Sequence, residues 1–110
     1  SWMGMSHALY ETTHPYYPAV DHMPTSFSEY LMPGPTELPE IEMRVLEYPS
    51  HTGPYGVKGI GEMTANSPIP AIANAIYNAV GVRCTELPIT PEMILRGLEE
   101  KQAREAMPAD

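Results

Sequence analysis

The stretch GVKGIGE at residues 56–62 places three glycines within six positions and ends in a carboxylate, that of Glu62. Glycine adopts positive φ angles easily and lets a bulky ligand approach the backbone closely. The N–H groups of such a loop can converge on an anionic or polar oxygen, and a carboxylate held at its end suits a general base. These features make Glu62 the candidate catalytic residue. The structural alternative is an ordinary glycine-rich turn that ends in a solvated surface glutamate.

The sequence after this loop changes to a helical periodicity from Pro68 onward. Apolar residues recur there at spacings of three and four and form one stripe: Ile69, Ile72, Ala73, Ile76, Tyr77 and Val80. Proline is tolerated in a first helical turn and glycine suits the position after the last one. The pattern therefore predicts a helix over 68–80, with Ser67, or alternatively Asn66, as its N-cap and Gly81 just beyond its end. Its N-terminus is expected a few residues after Glu62, where free N–H groups favour an anionic ligand.

Two further helices are predicted, one toward each end of the chain. The sequence Thr90-Pro91-Glu92 combines a hydroxyl cap, a proline in the first position and an acid in the first turn, which predicts a helix near 91–98. Apolar residues at near-helical spacing predict the end of an amphipathic helix near 1–11. Residues 99–110 are charged and are expected to form a solvated tail.

Two short segments have the character of β-strands. Residues 27–31 form a β-compatible run that Pro33 ends, and residues 41–47 alternate between apolar and charged side chains. The alternation predicts a half-buried strand. Tyr30, in the first run, is expected to bury its ring and keep its hydroxyl paired. Together with the helices, these strands predict an α+β fold class.

Composition and charge exclude several classes of function. The chain of 110 residues has a net charge of −8 and only six Lys and Arg residues, so it lacks the basic patch that nucleic acids and anionic lipids require. Its one cysteine, Cys84, excludes internal disulfides and Cys-rich metal or iron–sulfur motifs. No apolar run approaches the roughly 18 residues of a membrane span, so a cytoplasmic location is expected.

The histidines do not predict a metal site. His14 and His22 lie eight positions apart in a proline-rich loop without supporting carboxylates, so zinc binding there is disfavoured. His7, in the first predicted helix, is interpreted as a structural histidine rather than a ligand. No metal ligand is assigned to this chain.

A series of short motifs begins within the glycine loop and continues along the chain in a fixed order. They are K-G-x-G-E at 58–62, P-A-I-A-N-A-I at 70–76, G-V-R at 81–83 and L-P-x-T-P-E at 87–92. In this order they closely resemble the C-terminal end of the molybdenum-binding subunit of the xanthine dehydrogenase and aldehyde oxidase family. The upstream segments FSEYLMP at 27–33 and LPEI at 38–41 are similar to that family as well. The resemblance covers about residues 1–98, and it is the ordered set, rather than any single motif, that makes it specific.

The resemblance implies an assignment for each residue of the candidate site. Glu62 matches the general base of the family, in a reaction that oxidatively hydroxylates an N-heterocycle such as a purine, or an aldehyde, with water as the source of oxygen. Gly59, Ile60 and Gly61 are then expected to approach the cofactor through their backbone. Lys58 either fixes the loop or touches the cofactor, and the structural role is favoured.

The resemblance also implies an organisation around this chain. Residues 1–98 correspond to the C-terminal part of a molybdopterin-binding domain, so a fragment or small subunit that completes this domain within a larger assembly is expected. The implied cofactor is molybdenum–molybdopterin, with its cytosine dinucleotide form as an option. Iron–sulfur clusters and FAD are expected on partner chains or domains. The sequence Met-Thr-Ala-Asn at 63–66 differs from the Pro-Pro of many animal members, which leaves the substrate open.

Two other functional interpretations stay open beside this one. A non-catalytic structural subunit of such a complex would keep the fold while another chain carries the chemistry. An independent proline-rich interaction module is disfavoured, because the 13 prolines form no P-x-x-P tract with basic flanks.

Overall fold

The computed structural model of the protein describes residues 1–15 and 23–107. Its α-helices span Trp2–Leu9 (α1), Met63–Asn66 (α2), Pro68–Val80 (α3) and Pro91–Ala106 (α4), and short 3-10 helices span Pro35–Glu37 and Pro54–Gly56. No helix in the described ranges combines the length and the apolar character needed to cross a bilayer. One α-helix thus lies at the start of the chain and the other three lie in its second half, where the glycine loop directly precedes α2.

Helix α3 has the predicted bounds, but its N-terminal side differs from the prediction. Gly81 follows the helix with φ 74° and donates its N–H to the carbonyl of Tyr77 at 2.8 Å, as expected for a glycine at this position. Ser67 occupies the N-cap position, as predicted, but it has helical φ and ψ of −67° and −37° and its side chain makes no capping bond. Ser67 instead joins α2 to α3, so the helical path begins at Met63, directly after Glu62.

Helix α4 starts as predicted and ends later. The hydroxyl of Thr90 accepts the N–H of Met93 at 3.3 Å, with Pro91 in the first helical position. The helix continues to Ala106 instead of ending near residue 98, and its last residues are exposed. Residues 99–106 consist of Glu, Lys, Gln, Ala and Arg, which are strong helix formers, so the loss of the apolar pattern does not end the helix.

The hydrophobic core lies where α1, α3 and α4 meet the segment 82–89. Val82, Cys84 and Ile89 are buried there. Partly buried apolar side chains surround them: Leu9, Ile72, Ala73, Ile76, Val80, Met93, Ile94 and Leu98. The backbone N–H of Ile89 also donates to the carbonyl of Ala8 in α1 at 2.7 Å, which ties this segment to the first helix. The apolar stripe of α3 therefore forms part of the core, as its periodicity predicts.

The two predicted strands are absent from the described part of the chain, so the α+β class is not confirmed. Residues 27–29 form a turn, after which the N–H of Tyr30 donates to the carbonyl of Ser26 at 3.0 Å. Residues 41–47 are exposed throughout, on both faces of the predicted strand. A strand must pair its backbone groups with a neighbouring strand, and no described segment supplies one. The alternating pattern is present here without a pairing partner.

The chain exposes much more surface than a compact protein of its size. Its solvent-accessible surface is 9242 Å², whereas a compact monomer of 12.2 kDa exposes roughly 6,100 Å². Its radius of gyration of 19.0 Å likewise exceeds the roughly 13 Å expected for a compact chain of this length. Much of the excess is apolar, because Met43, Val45, Leu46 and Tyr48 are all exposed. Large apolar surfaces are therefore left uncovered by the chain itself.

Candidate functional site

The glycine loop, residues 57–62, lies exposed between the second 3-10 helix and α2. Gly61 has φ 49°, in the left-handed region that favours glycine. Apart from immediate chain neighbours, no described atom lies within 4 Å of the position that a Cβ would take at Gly59 or at Gly61. The backbone of the loop is therefore open to a large ligand at both glycines.

Glu62 comes directly before the first turn of α2. Its carbonyl accepts the N–H of Ala65 at 2.8 Å, and the carbonyl of Ile60 accepts the N–H of Met63 at 3.4 Å, so two consecutive turns fix the backbone here. The side chain of Glu62 is exposed and makes no capping bond. In the described ranges its carboxylate also forms no ion pair. This carboxylate is available to a bound ligand or proton donor.

Helix α1 supports the start of α2 by an unusually close approach. A Cβ at Gly4 would overlap the carbonyl oxygen of Ala65 and lie 2.9 Å from Cγ of Pro68. Because only glycine permits this packing, α1 fixes the backbone a few residues after Glu62. The sequence did not single out Gly4, since its contact is with residues far away along the chain.

The other predicted contact residues of the loop, Lys58 and Ile60, are also on the surface. Ile60 is 67% exposed, and the exposed Lys58 has no ion pair with any residue of the described ranges. The predicted site residues are consecutive, so the chain brings them together without help from the fold. We call this surface, residues 58–62, the glycine-loop site. It combines an accessible glycine backbone, a carboxylate and a lysine.

A separate polar cluster joins the end of α1 to the turn at 26–30. Glu11 accepts hydrogen bonds from the hydroxyl of Ser6 and from the phenol of Tyr30, the latter at 2.7 Å. Nε2 of His7 lies 3.7 Å from the same carboxylate. The prediction that Tyr30 pairs its hydroxyl is confirmed, but the residue is only partly buried, so the predicted burial of its ring is not. The position of His7 agrees with a structural role. Glu11, the centre of the cluster, was missed because no local pattern marks it.

Opposing effects determine the pKa of Glu11. Partial burial raises it, but the hydrogen bonds from Ser6 and Tyr30 and the neighbouring His7 lower it, and the net pKa lies below the usual value for a glutamate. The hydrogen bond to Glu11 is the main cause that raises the pKa of Tyr30, with desolvation and the negative charge adding to it. The pair is therefore held as a carboxylate and a neutral phenol. We call it the Glu11–Tyr30 clamp, since it links two segments rather than exchanging a proton.

Residues that bind metals do not cluster in the part of the chain that is described. Within 1–15 and 23–107, no three His, Cys, Asp or Glu residues are grouped so that they could hold an ion. His14 is exposed, and its backbone N–H donates to Oγ1 of Thr12 at 3.0 Å. His22 lies outside the described residues, so the pairing of the two histidines is not tested.

Comparison with known proteins finds curated relatives, although no family model matches the chain. It is 42% identical over 73 residues to the 6-hydroxypseudooxynicotine dehydrogenase complex subunit gamma of Paenarthrobacter nicotinovorans, covering 64% of this chain and 9% of that protein. It is 32% identical over 76 residues to a probable xanthine dehydrogenase subunit from Bacillus subtilis, which covers 69% of this chain and 10% of that protein. It is 35% identical over 72 residues to the aldehyde oxidoreductase molybdenum-binding subunit PaoC of Escherichia coli, which covers 64% of this chain and 10% of that protein.

A solved structure shares the fold of this chain. The crystal structure of quinoline 2-oxidoreductase from Pseudomonas putida 86 matches this chain at a TM-score of 0.71 and 31% identity. The match covers 90% of this chain and 13% of the chain in that structure. The chain thus spans about a tenth of the length of the curated relatives that it matches. It belongs to the family of molybdenum-binding subunits of the xanthine dehydrogenases and aldehyde oxidoreductases.

Proposed function

We propose that this chain is part of a molybdenum hydroxylase that oxidises an N-heterocycle such as a purine, or an aldehyde, with water as the source of oxygen. The observation that carries the proposal is the state of Glu62. Its carboxylate lies exposed at the end of an open glycine loop and makes neither a capping bond nor, in the described ranges, an ion pair. Membership of the family supports the reaction class, and the accessible carboxylate supports a direct role for this chain in it.

Glu62 is proposed to act as the general base. A carboxylate within hydrogen-bond reach can take the proton from water as its oxygen attacks an electrophilic carbon of the substrate. The turns at Ile60–Met63 and Glu62–Ala65 hold the backbone of Glu62, and the packing of Gly4 on Ala65 holds the second of these turns. Because these contacts hold the backbone of Glu62, the reach of its carboxylate is limited even though no side chain pairs with it.

The glycine-loop site is proposed to contact a molybdenum–molybdopterin cofactor, with the cytosine dinucleotide form as one option. The residues fit such a group, because the open space beside Gly59 and Gly61 lets a large planar ligand reach the backbone. The backbone of 59–61 would hold the cofactor by N–H and van der Waals contacts, and Lys58 would pair with a carboxylate, carbonyl or cofactor oxygen nearby. When bound, the cofactor supplies the two-electron oxidation.

Further chains or domains are proposed to complete the enzyme. One relative is named as a subunit of a complex and another as a molybdenum-binding subunit, and each matches this chain over a tenth of its length or less. Iron–sulfur clusters are assigned to these partners, since they need several cysteine ligands and the single cysteine of this chain is buried in the core. A flavin is assigned to them from the family resemblance alone. The remainder of the molybdenum-binding subunit is the partner expected to lie beside the glycine-loop site.

Glutamine and aspartate at position 62 test the proposal in the assembled enzyme. Glu62→Gln is nearly isosteric and should keep assembly and molybdenum content while turnover of a purine or an aldehyde falls roughly 10²–10⁴-fold, because an amide cannot accept the proton. Glu62→Asp should fall on the order of 10²-fold, because loss of a methylene withdraws the carboxylate by about 1 Å. Substrate-dependent reduction and molybdenum per enzyme are measured for each variant.

Glu42→Gln is the matched control for this series. Glu42 is an exposed glutamate on the segment 41–47, away from the glycine-loop site in sequence, and its exchange should leave turnover close to that of the wild type. Normal turnover in fully metallated Glu62→Gln would contradict the proposal. The chain would then be a non-catalytic structural part of the complex, with the base on another segment.

A further inference from the structure

Tyr55 combines a left-handed backbone with a fully exposed side chain. Its φ and ψ are 55° and 18°, and it is the one non-glycine residue with positive φ in the described ranges. Bulky residues rarely adopt this conformation, and glycine or asparagine is the usual choice at turn positions that require it. The residue is fully exposed, with a relative accessibility of 103%, so no contact with the described residues accounts for a tyrosine here.

The backbone around Tyr55 is held by the loop itself. The N–H of Ser50 donates to the carbonyl of Gly56 at 2.9 Å, and the N–H of Val57 donates to the carbonyl of Pro54 at 3.1 Å. Gly56, also left-handed with φ 74°, packs so closely on Pro49 that a Cβ would lie 2.7 Å from the proline Cβ. None of these contacts uses the ring of Tyr55. The loop therefore presents an aromatic ring outward from a fixed and unfavourable conformation.

The ring stands at the edge of an exposed apolar surface. Residues 45–49 and 55–58, which we call the Tyr55 face, line an open groove of about 450 Å³. The face carries exposed Val45, Leu46 and Tyr48 on one side and Val57 on the other. Its last residue, Lys58, is the first residue of the glycine-loop site. The Tyr55 face and the glycine-loop site are thus one continuous stretch of surface.

The surface that covers this face is inferred from the greater length of the solved relative. Quinoline 2-oxidoreductase contains a region of the same fold within a chain several times longer than this one. Contiguous exposed apolar surfaces commonly mark contacts with another protein, a membrane or a ligand. We propose that Tyr55 is a positioning residue, whose ring docks on an apolar surface of the remainder of the molybdenum-binding subunit and thereby fixes the glycine loop at residues 57–62. This inference rests on the proposed function and names the contact through which the partner acts.

Radical footprinting of the wild-type assembled enzyme gives the first test. The ring of Tyr55 should be labelled by hydroxyl radicals about tenfold more slowly in the assembled enzyme than in the urea-unfolded enzyme. Met107, which is exposed on the chain end after α4, should stay reactive in both. Equal labelling of Tyr55 in the two states would overturn the inference. Protection that disappears on dilution, without loss of subunits, would assign the face to a second copy of the enzyme and also overturn it.

Glycine and phenylalanine at position 55 give the second test. Tyr55→Gly relieves the backbone and removes the ring, so a merely tolerated tyrosine predicts unchanged or improved behaviour. The docking role predicts a fall in kcat of about tenfold or more and faster hydrogen exchange of the amides at 57–62. Tyr55→Phe keeps the ring and should restore both. Unchanged kcat and exchange in Tyr55→Gly, or equal losses in both variants, would overturn the apolar docking.

These readouts separate the docking inference from the proposed function. Normal turnover in Glu62→Gln would contradict the base role, yet protection of Tyr55 and the exchange rates at 57–62 would still report whether the ring docks. Conversely, if Tyr55 is exposed in the assembled enzyme while turnover still depends on Glu62, only the docking inference is contradicted.

Discussion

Gly4 in α1 lies directly against the backbone carbonyl of Ala65 in α2, so closely that a methyl group at residue 4 would overlap the carbonyl oxygen. This contact joins the first helix to the turn that begins at Glu62. The N–H of Ala65 is at the same time the donor to the Glu62 carbonyl, at 2.8 Å. A displacement of Ala65 therefore moves Glu62 as well, which connects helix packing to the position of the carboxylate.

Gly4→Ala should lower both stability and turnover of the assembled enzyme. Alanine in place of glycine favours a helix by roughly 0.5–1 kcal/mol, whereas overpacking costs typically about 1–3 kcal/mol. The clash is with a backbone oxygen, which cannot move aside by a rotamer change, so the unfavourable effect should dominate. Thermal unfolding and kcat are the measurements. A raised melting temperature with unchanged kcat would show that α1 and α2 separate at no cost and that this contact does not position Glu62.

The helices could largely be predicted from sequence, because their signals are local. The apolar stripe and the flanking Gly81 define α3, and the hydroxyl and proline at 90–91 define the start of α4. The end of α4 was placed too early, since charged helix formers continue a helix without an apolar pattern. The periodicity does not reveal that a helical turn at 63–66 precedes Ser67, so it could not show that the N-cap side chain lacks a capping bond.

The strands illustrate what a local pattern leaves undetermined. Residues 41–47 alternate as a half-buried strand does, but a strand forms only where another strand accepts its hydrogen bonds. The described residues of this chain contain no such neighbour, and the segment is exposed on both faces. The alternating pattern indicates that residues 41–47 would form a strand beside a neighbouring strand. The described residues do not supply that neighbour.

The candidate site shows the same difference between what a local sequence pattern reveals and what depends on tertiary structure. Residues 58–62 are adjacent in sequence, so one motif is sufficient to name them together. The supporting contact of Gly4 with Ala65, the Glu11–Tyr30 clamp and the left-handed Tyr55 depend on tertiary geometry or on a backbone angle that no spacing encodes. Motif reasoning thus named the candidate residues, and the structure shows which contacts hold the backbone beside them.

The Glu11–Tyr30 clamp should make part of the stability dependent on pH. The pKa of Glu11 is lowered in the folded state, so its contribution is complete above the unfolded pKa of about 4.3 and is lost as the pH falls through the lower folded value. Glu11→Gln should therefore destabilise the assembled enzyme by about 1.5–3 kcal/mol near neutral pH, and by less below about pH 4. Urea unfolding of both proteins across this range measures the difference.

Tyr30→Phe is the matched variant for the clamp at the other end of the pH scale. The pKa of Tyr30 is raised, so its contribution is present below the unfolded pKa of about 10 and is lost as the pH rises through the higher folded value. The variant should lose this alkaline dependence and weaken the acid one, because the phenol helps to lower the pKa of Glu11. A stability difference between wild type and Glu11→Gln that stays constant with pH would contradict the clamp.

The 110-residue chain expressed alone should lack a cooperative unfolding transition. Its core contains few fully buried apolar side chains, while its accessible surface exceeds that of a compact monomer by roughly half. Segments such as 41–47 would then expose apolar side chains to other molecules. We expect an insoluble or molten product that gains ordered structure only with the rest of the subunit. A sharp calorimetric melt of the isolated chain, with matching transitions by fluorescence and circular dichroism, would be the contrary result.

Gly59→Ala should separate contact with a cofactor from the folding of this chain. No described atom lies within 4 Å of a Cβ at residue 59, apart from chain neighbours, and its φ is not in the left-handed region, so alanine fits the chain without strain. Gly61 is a poorer choice, because its φ of 49° would strain any side chain. A cofactor against this backbone would meet the new methyl group, and a clash of about 1–3 kcal/mol corresponds to a loss of affinity of about 5- to 150-fold. Molybdenum per assembled enzyme should therefore fall, while the melting temperature of enzyme prepared without molybdenum should match the wild type. Full molybdenum content together with normal turnover would mean that the cofactor does not approach the loop at Gly59.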